Sequence, residues 1–131
     1  MTTITTYTSR EAERLIRSKK AEGEYHVTGS LYLSGCDLSG VTLPASVTGW
    51  LDLSGCRNPD PSQWWTERGE ATRRRCIAVC PDDGYALVQT DTDLFSAGCR
   101  NNLTRALALA HWNRRDARAK LFTAAIKGAV L

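Results

Sequence analysis

The residues best suited to chemistry in this sequence are its five cysteines and two histidines. Cys76, Cys80, Cys99 and His111 have the ligand types of a Cys₃His zinc site. On one strand, however, Cys76 and Cys80 would lie about 13 Å apart, which is too far for both to bind one tetrahedral ion. A nucleophilic pair of Cys99 and His111 is the other arrangement to consider. Because these cysteines stand in apolar segments beside alanine and glycine, we interpret them as core residues.

Other patterns typical of active sites are missing from the sequence. It contains neither paired carboxylates on a pocket-forming pattern nor a glycine loop of the kind that cradles phosphates. We therefore predict a protein that is not an enzyme, with no catalytic residues, no metal site and no cofactor.

Four side chains on two short repeats are the candidates for binding a protein partner. They are Ser30, Tyr32, Trp50 and Asp52. All four have the strand parity opposite to that of the inward leucines, so their side chains leave the same face. An aromatic pair beside small and acidic residues is typical of a hot spot for a protein partner. In the alternative interpretation, another segment of the chain packs over this face.

A second set of candidates consists of arginines that could bind nucleic acid. They are the run Arg73, Arg74 and Arg75 and the C-terminal arginines that flank the predicted helices, Arg114 and Arg115 with Arg100, Arg105 and Arg118. Clustered on one face, they could bind phosphates while Trp64 or Trp65 stacks on a base. Acidic residues are interspersed among them, however, and the formal net charge of the chain is only +3. A mixed, solvated surface accounts better for this pattern, so nucleic acid is the second choice of partner.

The protein-binding candidates depend on an internal repeat. Residues 27–36 recur as residues 47–56, twenty positions later and with only two differences. A fixed short period predicts a solenoid in which each repeat forms one coil. The leucines expected to point into the coils and stack are Leu31, Leu33, Leu51 and Leu53.

The repeat makes two further predictions. Cys36 and Cys56 should lie on adjacent rungs about 4.8 Å apart, as a buried pair of thiols, with a disulfide as the alternative. No third coil is predicted, because Ala71 and Arg73 occupy the two leucine positions one period later. Since two coils are fewer than a free-standing solenoid needs, other segments must cover the stack.

The segment before the repeats predicts a helix that shields the first coil. Thr8 and Glu11 have the spacing of a capping box, and Gly23 is a suitable residue to follow the helix. We therefore predict a helix over residues 9–22. After the repeats, the two prolines in residues 58–62 end regular structure, and a helical turn or bend is predicted for residues 62–67.

The rest of the chain predicts three strands and two helices. The predicted strands are residues 75–80, 85–89 and 94–99, joined by short turns as an antiparallel meander. Asn101 or Asn102 is expected to cap the first helix, and Asp116 the second. The second helix is expected to bury Leu121 together with Phe122, Ala125 and Ile126.

Together these patterns predict one compact α+β domain. Residues 1–61 are expected to form an N-terminal capping helix and a two-coil β-solenoid stub that resembles leucine-rich repeats. Residues 62–131 are expected to form the three-stranded antiparallel meander with two C-terminal helices. Neither a signal-peptide pattern nor an apolar run of about 18 residues is present, so we expect a cytoplasmic protein that does not enter a membrane. Capping residues at both ends favour a monomer over a homodimer.

Two motifs resemble segments of bacteriophage and prophage proteins. The first is Val-x-Gly-x-Leu-x-Leu-Ser-Gly-Cys, which occurs twice and is joined through a Leu-Pro. The second is Ser96-Ala-Gly-Cys-Arg100 with Ala108-Leu-Ala-His-Trp112, which resembles a small module at the end of phage proteins. In that module, the resemblance implies structural roles for Gly98, Cys99, His111 and Trp112. It implies no catalytic role.

The resemblance to phage proteins also implies a function. Small phage proteins without an active site often bind and occlude a surface of a host protein, and anti-CRISPR proteins are one such group. The expectation is therefore a non-enzymatic, anti-CRISPR-like protein that inhibits a host defence complex by binding to it, with nucleic-acid binding as the alternative.

Overall fold

The computed structural model describes residues 5–98 and 100–131, which form a mixed α+β fold. The helices in this part of the chain are α1 (Ser9–Arg17), α2 (Arg105–His111) and α3 (Ala117–Gly128). The strands are β1 (Thr6–Thr8), β2 (His26–Thr28), β3 (Leu31–Tyr32), β4 (Ser46–Val47), β5 (Leu51–Asp52), β6 (Thr66–Glu67), β7 (Arg74–Val79), β8 (Ala86–Thr90), β9 (Leu94–Ala97) and β10 (Arg100–Thr104). No helix among these residues is both long and apolar enough to cross a membrane.

Parallel pairing follows the twenty-residue period of the sequence. Val27 of β2 pairs with Val47 of β4, and Leu31 of β3 pairs with Leu51 of β5. Backbone hydrogen bonds continue the ladder, with the Leu31 amide donating to the Trp50 carbonyl at 2.8 Å. Both valines and both leucines are buried, so the repeated apolar side chains stack on one another.

The parallel sheet has more strands than the two repeats supply. Strand β6 pairs with β4 in the same register, Ser46 opposite Thr66, and β1 pairs with β2 at the other edge. The prediction of no third coil missed this rung, although the leucine-bearing strands β3 and β5 form a sheet of two strands. Residues 66–67 form strand β6 and not the predicted helical turn or bend. At this rung the buried Glu67 takes the position of Val27 and Val47. The residue before β6, Trp65, is also buried and forms a β-bridge with Arg74 of β7.

Helix α1 begins as predicted and ends earlier. Thr8 and Glu11 make both hydrogen bonds of the capping box. The helix ends at Arg17 because Lys19 takes the left-handed conformation (φ 57°), and the amides of Lys19 and Lys20 bond back to the last turn. The Lys19 ammonium donates to the Ser39 carbonyl at 2.7 Å. This long-range contact could not be predicted from Gly23, which the sequence indicated as the end of the helix.

The antiparallel sheet contains four strands in the order β10-β9-β8-β7, not three. The added strand, β10, includes the asparagines that were predicted to cap α2. Asn102 lies in the left-handed region (φ 54°) at an irregularity in the register, and Thr104 caps the helix instead by accepting from the Leu107 amide. Asp116 caps α3 as predicted. Leu121 is exposed rather than buried.

Strands β7 and β8 separate two hydrophobic clusters. Cys76 packs with the parallel strands and α1, whereas Ala78 packs with α2 and α3. Ile77 also packs on the helix side, because a bulge between Cys76 and Ala78 lets two successive residues face the same way. On β8, Val88 faces the first cluster and Leu87 faces the second. The hairpin is therefore a middle layer, with the repeats on one face and the helices on the other.

A polar network holds the end of α3 to this sheet. The Arg105 guanidinium donates to both carboxylate oxygens of Asp93 (2.8 and 3.1 Å) and to the carbonyls of Ile126 and Ala129. The buried Gln89 connects the same carboxylate to Arg75. The hydrogen bonds from Arg105 are the main reason why the pKa of Asp93 lies below its ordinary value.

Replacement of Arg105 tests this network. We expect Arg105→Ala to lower the free energy of unfolding by about 2 kcal/mol at neutral pH, because charged hydrogen bonds to Asp93 and two carbonyls are lost. A carboxylate with a lowered folded-state pKa stabilises above the unfolded pKa, and this stabilisation is lost as the pH falls below about 4. The difference between wild type and variant, measured by urea unfolding, should therefore shrink in acid. The same difference in free energy of unfolding at neutral and at acidic pH would contradict this account.

Close approach of the rungs gives a second prediction. A β-carbon added at Gly49 would lie 2.9 Å from the Ser30 nitrogen and 3.0 Å from its α-carbon. We expect Gly49→Ala to lower the free energy of unfolding by about 1–3 kcal/mol through overpacking. Gly128→Ala is the matched control, since no atom lies within 4 Å of its added carbon. Equal stability of the two variants in urea would contradict the tight stacking.

Candidate functional site

The four residues predicted to bind a protein lie together on β3, β5 and the segments before them. Tyr32 is directly opposite Asp52, and their side chains leave the face opposite to the buried leucines. Tyr32 is 58% exposed and Trp50 is 52% exposed. Ser30 has a structural contact, since its hydroxyl accepts from the Trp50 amide at 3.1 Å. Asp52 likewise accepts from the Ser54 amide at 2.9 Å and orders the turn after the strand.

Arg68 belongs to this surface and was not predicted from the sequence. Its guanidinium lies 4.5 Å from the centre of the Trp50 ring, in a cation–π contact. The same guanidinium forms an ion pair with Glu70 at 2.8 Å. Arg68 follows β6, so only the third rung of the parallel sheet brings it beside Trp50. A search for the leucine pattern could not have found it.

Three adjoining cavities form a groove, which we call the junction groove. Two of them lie between the parallel strands and the antiparallel sheet, and the third lies between that sheet and helices α2 and α3. Their volumes are about 360, 290 and 240 Å³. Ser96 lines both the first and the second cavity, and Tyr85 lines both the second and the third. The groove is lined at one end by Trp50 and Arg68, in the middle by Asp52 and Tyr85, and at the far end by Arg100, Arg114 and Arg118.

Exposed aromatic side chains are concentrated beside the middle of this groove. Within the described part of the chain, the exposed aromatic residues are Tyr32, Trp50 and Tyr85. Tyr32 is paired with Asp52, Trp50 precedes it by two positions on the same face, and Tyr85 lines the same cavity. Tyr32 and Trp50 thus form one exposed aromatic patch with Asp52, and this patch borders the cavity that Tyr85 lines.

The arginines predicted to bind nucleic acid do not form one face. Arg74 is largely buried and pairs with Glu70 at 3.1 Å, and Arg75 donates to the buried Gln89. Arg73 is mostly exposed and pairs with Asp91. Arg114 and Arg115 are exposed on the connection between α2 and α3.

The tryptophans proposed to stack on bases have partners within the protein. The guanidinium groups of Arg73 and Arg75 lie 5.2 and 4.8 Å from the Trp64 ring. The Trp65 ring is buried, and its indole nitrogen donates to Glu67 at 2.9 Å. Neither ring offers a free platform for a base.

The cysteines of the described residues are buried thiols. Cys36 and Cys56 lie on adjacent rungs, and the Cys56 thiol donates to the Leu33 carbonyl at 2.9 Å. Burial raises the pKa of Cys56 to about 11 and the pKa of Cys76 to about 12. A raised pKa reduces the thiolate fraction at neutral pH, so these residues are poor nucleophiles.

The proposed zinc set and the Cys99–His111 pair involve Cys99, which lies outside the described residues. Among residues 5–98 and 100–131, no group of three or more His, Cys, Asp or Glu side chains is placed to hold a metal ion. Cys76 and Cys80 pack in different hydrophobic clusters.

Thiol labelling tests this interpretation. In a Cys99→Ser variant, we expect the four buried thiols to react with a thiol reagent only as fast as the protein unfolds, and all at once in denaturant. Mass spectrometry of the labelled protein gives the count and the positions. Rapid labelling of one cysteine in the folded protein would instead identify an activated thiol and would favour an enzymatic function.

Comparison with known proteins adds no functional assignment. No protein-family model, no curated protein and no solved structure matches this chain. What this chain binds must therefore be inferred from the geometry of the junction groove and the surface beside it.

Proposed function

We propose that this protein is a non-enzymatic binding protein whose partner is another protein. The observation that carries the proposal is the exposed aromatic pair of Tyr32 and Trp50, which shares a face with Asp52 and borders the cavity of the junction groove that Tyr85 lines. Tyrosine, tryptophan and arginine are the residues in which the binding energy of protein interfaces is concentrated. The rings sit beside a groove that can receive an extended segment or a protruding side chain.

Rigidity of this surface supports the proposal. The Trp50 amide is bonded to Ser30, its carbonyl accepts from Leu31, and its ring contacts Arg68. A ring that is already held in place loses little conformational freedom on binding, so more of its contact energy contributes to affinity. Arg68 adds hydrogen-bond donors beside the apolar ring.

Nucleic-acid binding is less well supported as the alternative. Arg74 and Arg75 are committed to Glu70 and Gln89, which leaves Arg73, Arg100, Arg114 and Arg115 as exposed candidates. Arg73 precedes β7 and Arg100 begins β10, whereas Arg114 and Arg115 are adjacent on the connection between α2 and α3, so these arginines do not follow one element. We retain nucleic acid as an outcome that the experiment distinguishes.

We also propose that the two repeats are coils of a short solenoid resembling leucine-rich repeats, with α1 as its cap. Supporting this, both strands of the first repeat pair in register with those of the second. Action on a host defence complex in the cytoplasm is the further proposal, and it rests on the phage resemblance alone. The same resemblance is the reason to look for the partner in bacterial lysate.

Partner capture with matched variants tests the proposal. Tagged wild-type protein is incubated with bacterial lysate, treated with nuclease and washed at high salt. We expect it to retain a discrete protein that Trp50→Ala and Tyr32→Ala lose, with affinity reduced about thirtyfold because each ring is a hot spot. The affinity is then measured with the identified partner by titration calorimetry.

Leu107→Ala is the control for loss of an exposed apolar side chain. Leu107 is 58% exposed, as Tyr32 is, but it lies on α2 and does not line the junction groove. This variant should retain the partner fully, and thermal unfolding should show that all variants fold. Retention of the same partner by Trp50→Ala and Tyr32→Ala would exclude this surface. Loss of the captured material on nuclease treatment would favour nucleic acid instead.

A further inference from the structure

The far end of the junction groove is a basic cavity that the proposed protein binding does not use. Its volume is about 240 Å³, and Arg100, Arg114, Arg118 and His111 are among its lining residues. They come from three places in the chain, namely β10, the end of α2 with the connection that follows it, and α3. Only the folded chain brings them together.

The charges around this cavity are only partly balanced. Arg118 is paired with Asp83 at 3.2 Å, and its guanidinium lies 4.8 Å from the centre of the Tyr85 ring. Within the described residues, no carboxylate lies at ion-pair distance from Arg100 or Arg114. Asp116 is the other nearby acid, and its carboxylate accepts from the Ala119 amide at the start of α3. The cavity therefore retains a net positive charge.

His111 is held beside these arginines and responds to them. Its ring packs edge-on against Trp112, with 5.1 Å between the centres, and Trp112 is itself fixed against Phe122. Loss of solvation and the positive charges of Arg100, Arg114 and Arg118 hold the pKa of His111 below its ordinary value. At neutral pH the ring is therefore mainly uncharged and can donate one hydrogen bond.

We propose that this end of the groove is a binding site for a phosphate group, held by Arg100, Arg114 and Arg118 with His111 as a further donor. A phosphate offers more acceptor oxygens than a carboxylate and carries up to two negative charges. Guanidinium groups match such an oxyanion with paired hydrogen bonds. Arg118 is held ready by Asp83 and Tyr85, while Arg100 and Arg114 supply charge that nothing else in the described structure neutralises.

Proton NMR of the two histidines tests this proposal without any protein partner. The sequence contains only His26 and His111, so two ring signals report on two places. His26 serves as the internal reference, because its Nδ1 lies 2.6 Å from the Ser46 hydroxyl in the parallel sheet. Inorganic phosphate is titrated at constant ionic strength. We expect a saturable shift of the His111 signal and a higher His111 pKa, since a bound anion stabilises the imidazolium.

Neighbouring arginines provide matched variants. Arg114→Gln should weaken phosphate binding about tenfold, because one charged hydrogen-bonding partner is lost. Arg100→Gln should act in the same direction. Arg115→Gln, one residue from Arg114 but not lining the cavity, should leave the affinity unchanged. These side chains are exposed, so the variants should keep the wild-type unfolding transition.

The source of the phosphate group and the specificity of the site follow from further titrations. Tighter binding of glycerol phosphate than of inorganic phosphate would identify an organic phosphate monoester as the ligand class, and the reverse would identify free phosphate. A His111 signal that does not saturate would overturn the proposal. Equal affinity for acetate, or equal weakening by Arg115→Gln and Arg114→Gln, would also overturn it.

Discussion

The structure depends on the close parallel stacking of one repeat on the next. Backbone hydrogen bonds link Leu31 to Trp50 and Leu33 to Asp52, and the absence of a side chain at Gly49 allows the rungs to meet beside Ser30. This register buries the repeated leucines on one face. Since strand side chains alternate, it also presents Tyr32 and Trp50 on the other face. The core and the candidate binding surface are therefore two consequences of one pairing.

The two repeats alone would leave their apolar face uncovered, and the second half of the chain covers it. The β7–β8 hairpin packs Cys76 and Val88 against the repeats and Leu87 against the helices. The Gly55 amide bonds to the Gly84 carbonyl where the two parts meet. Because the hairpin is shared by both hydrophobic clusters, the repeats and the helices are held to a common layer. The junction groove lies where the edges of these layers do not meet.

Arginines in this chain serve two different purposes. Arg74, Arg75 and Arg105 satisfy buried or half-buried acceptors, and so they secure the hairpin and the end of α3. Arg100 and Arg114 have no acidic partner within the described residues and line a cavity instead. Desolvating a guanidinium without a partner is unfavourable, so unpaired arginines stay at the surface, where an anionic ligand can reach them. Burial and pairing therefore decide whether an arginine stabilises the fold or can bind a ligand, and the number of arginines does not.

The sequence alone determined the features that depend on local spacing. The twenty-residue repeat predicted the stacked leucines, the Thr8–Glu11 capping box predicted the start of α1, and Asp116 predicted the start of α3. Such patterns can be read because they follow from backbone periodicity and from hydrogen bonds within a few residues.

Only the tertiary structure decided the remaining features, because they arise from contacts between distant segments. Strand β6 forms a third rung by pairing Thr66 with Ser46 and Glu67 with Val47, and no leucine pattern in the sequence indicates it. Lys19 ends α1 in a conformation supported by Ser39, far along the chain. The placing of Arg68 beside Trp50, and of Arg100 beside Arg118, likewise depends on how the layers pack. No spacing in the sequence encodes these neighbours, since packing selects them only after the strands have paired.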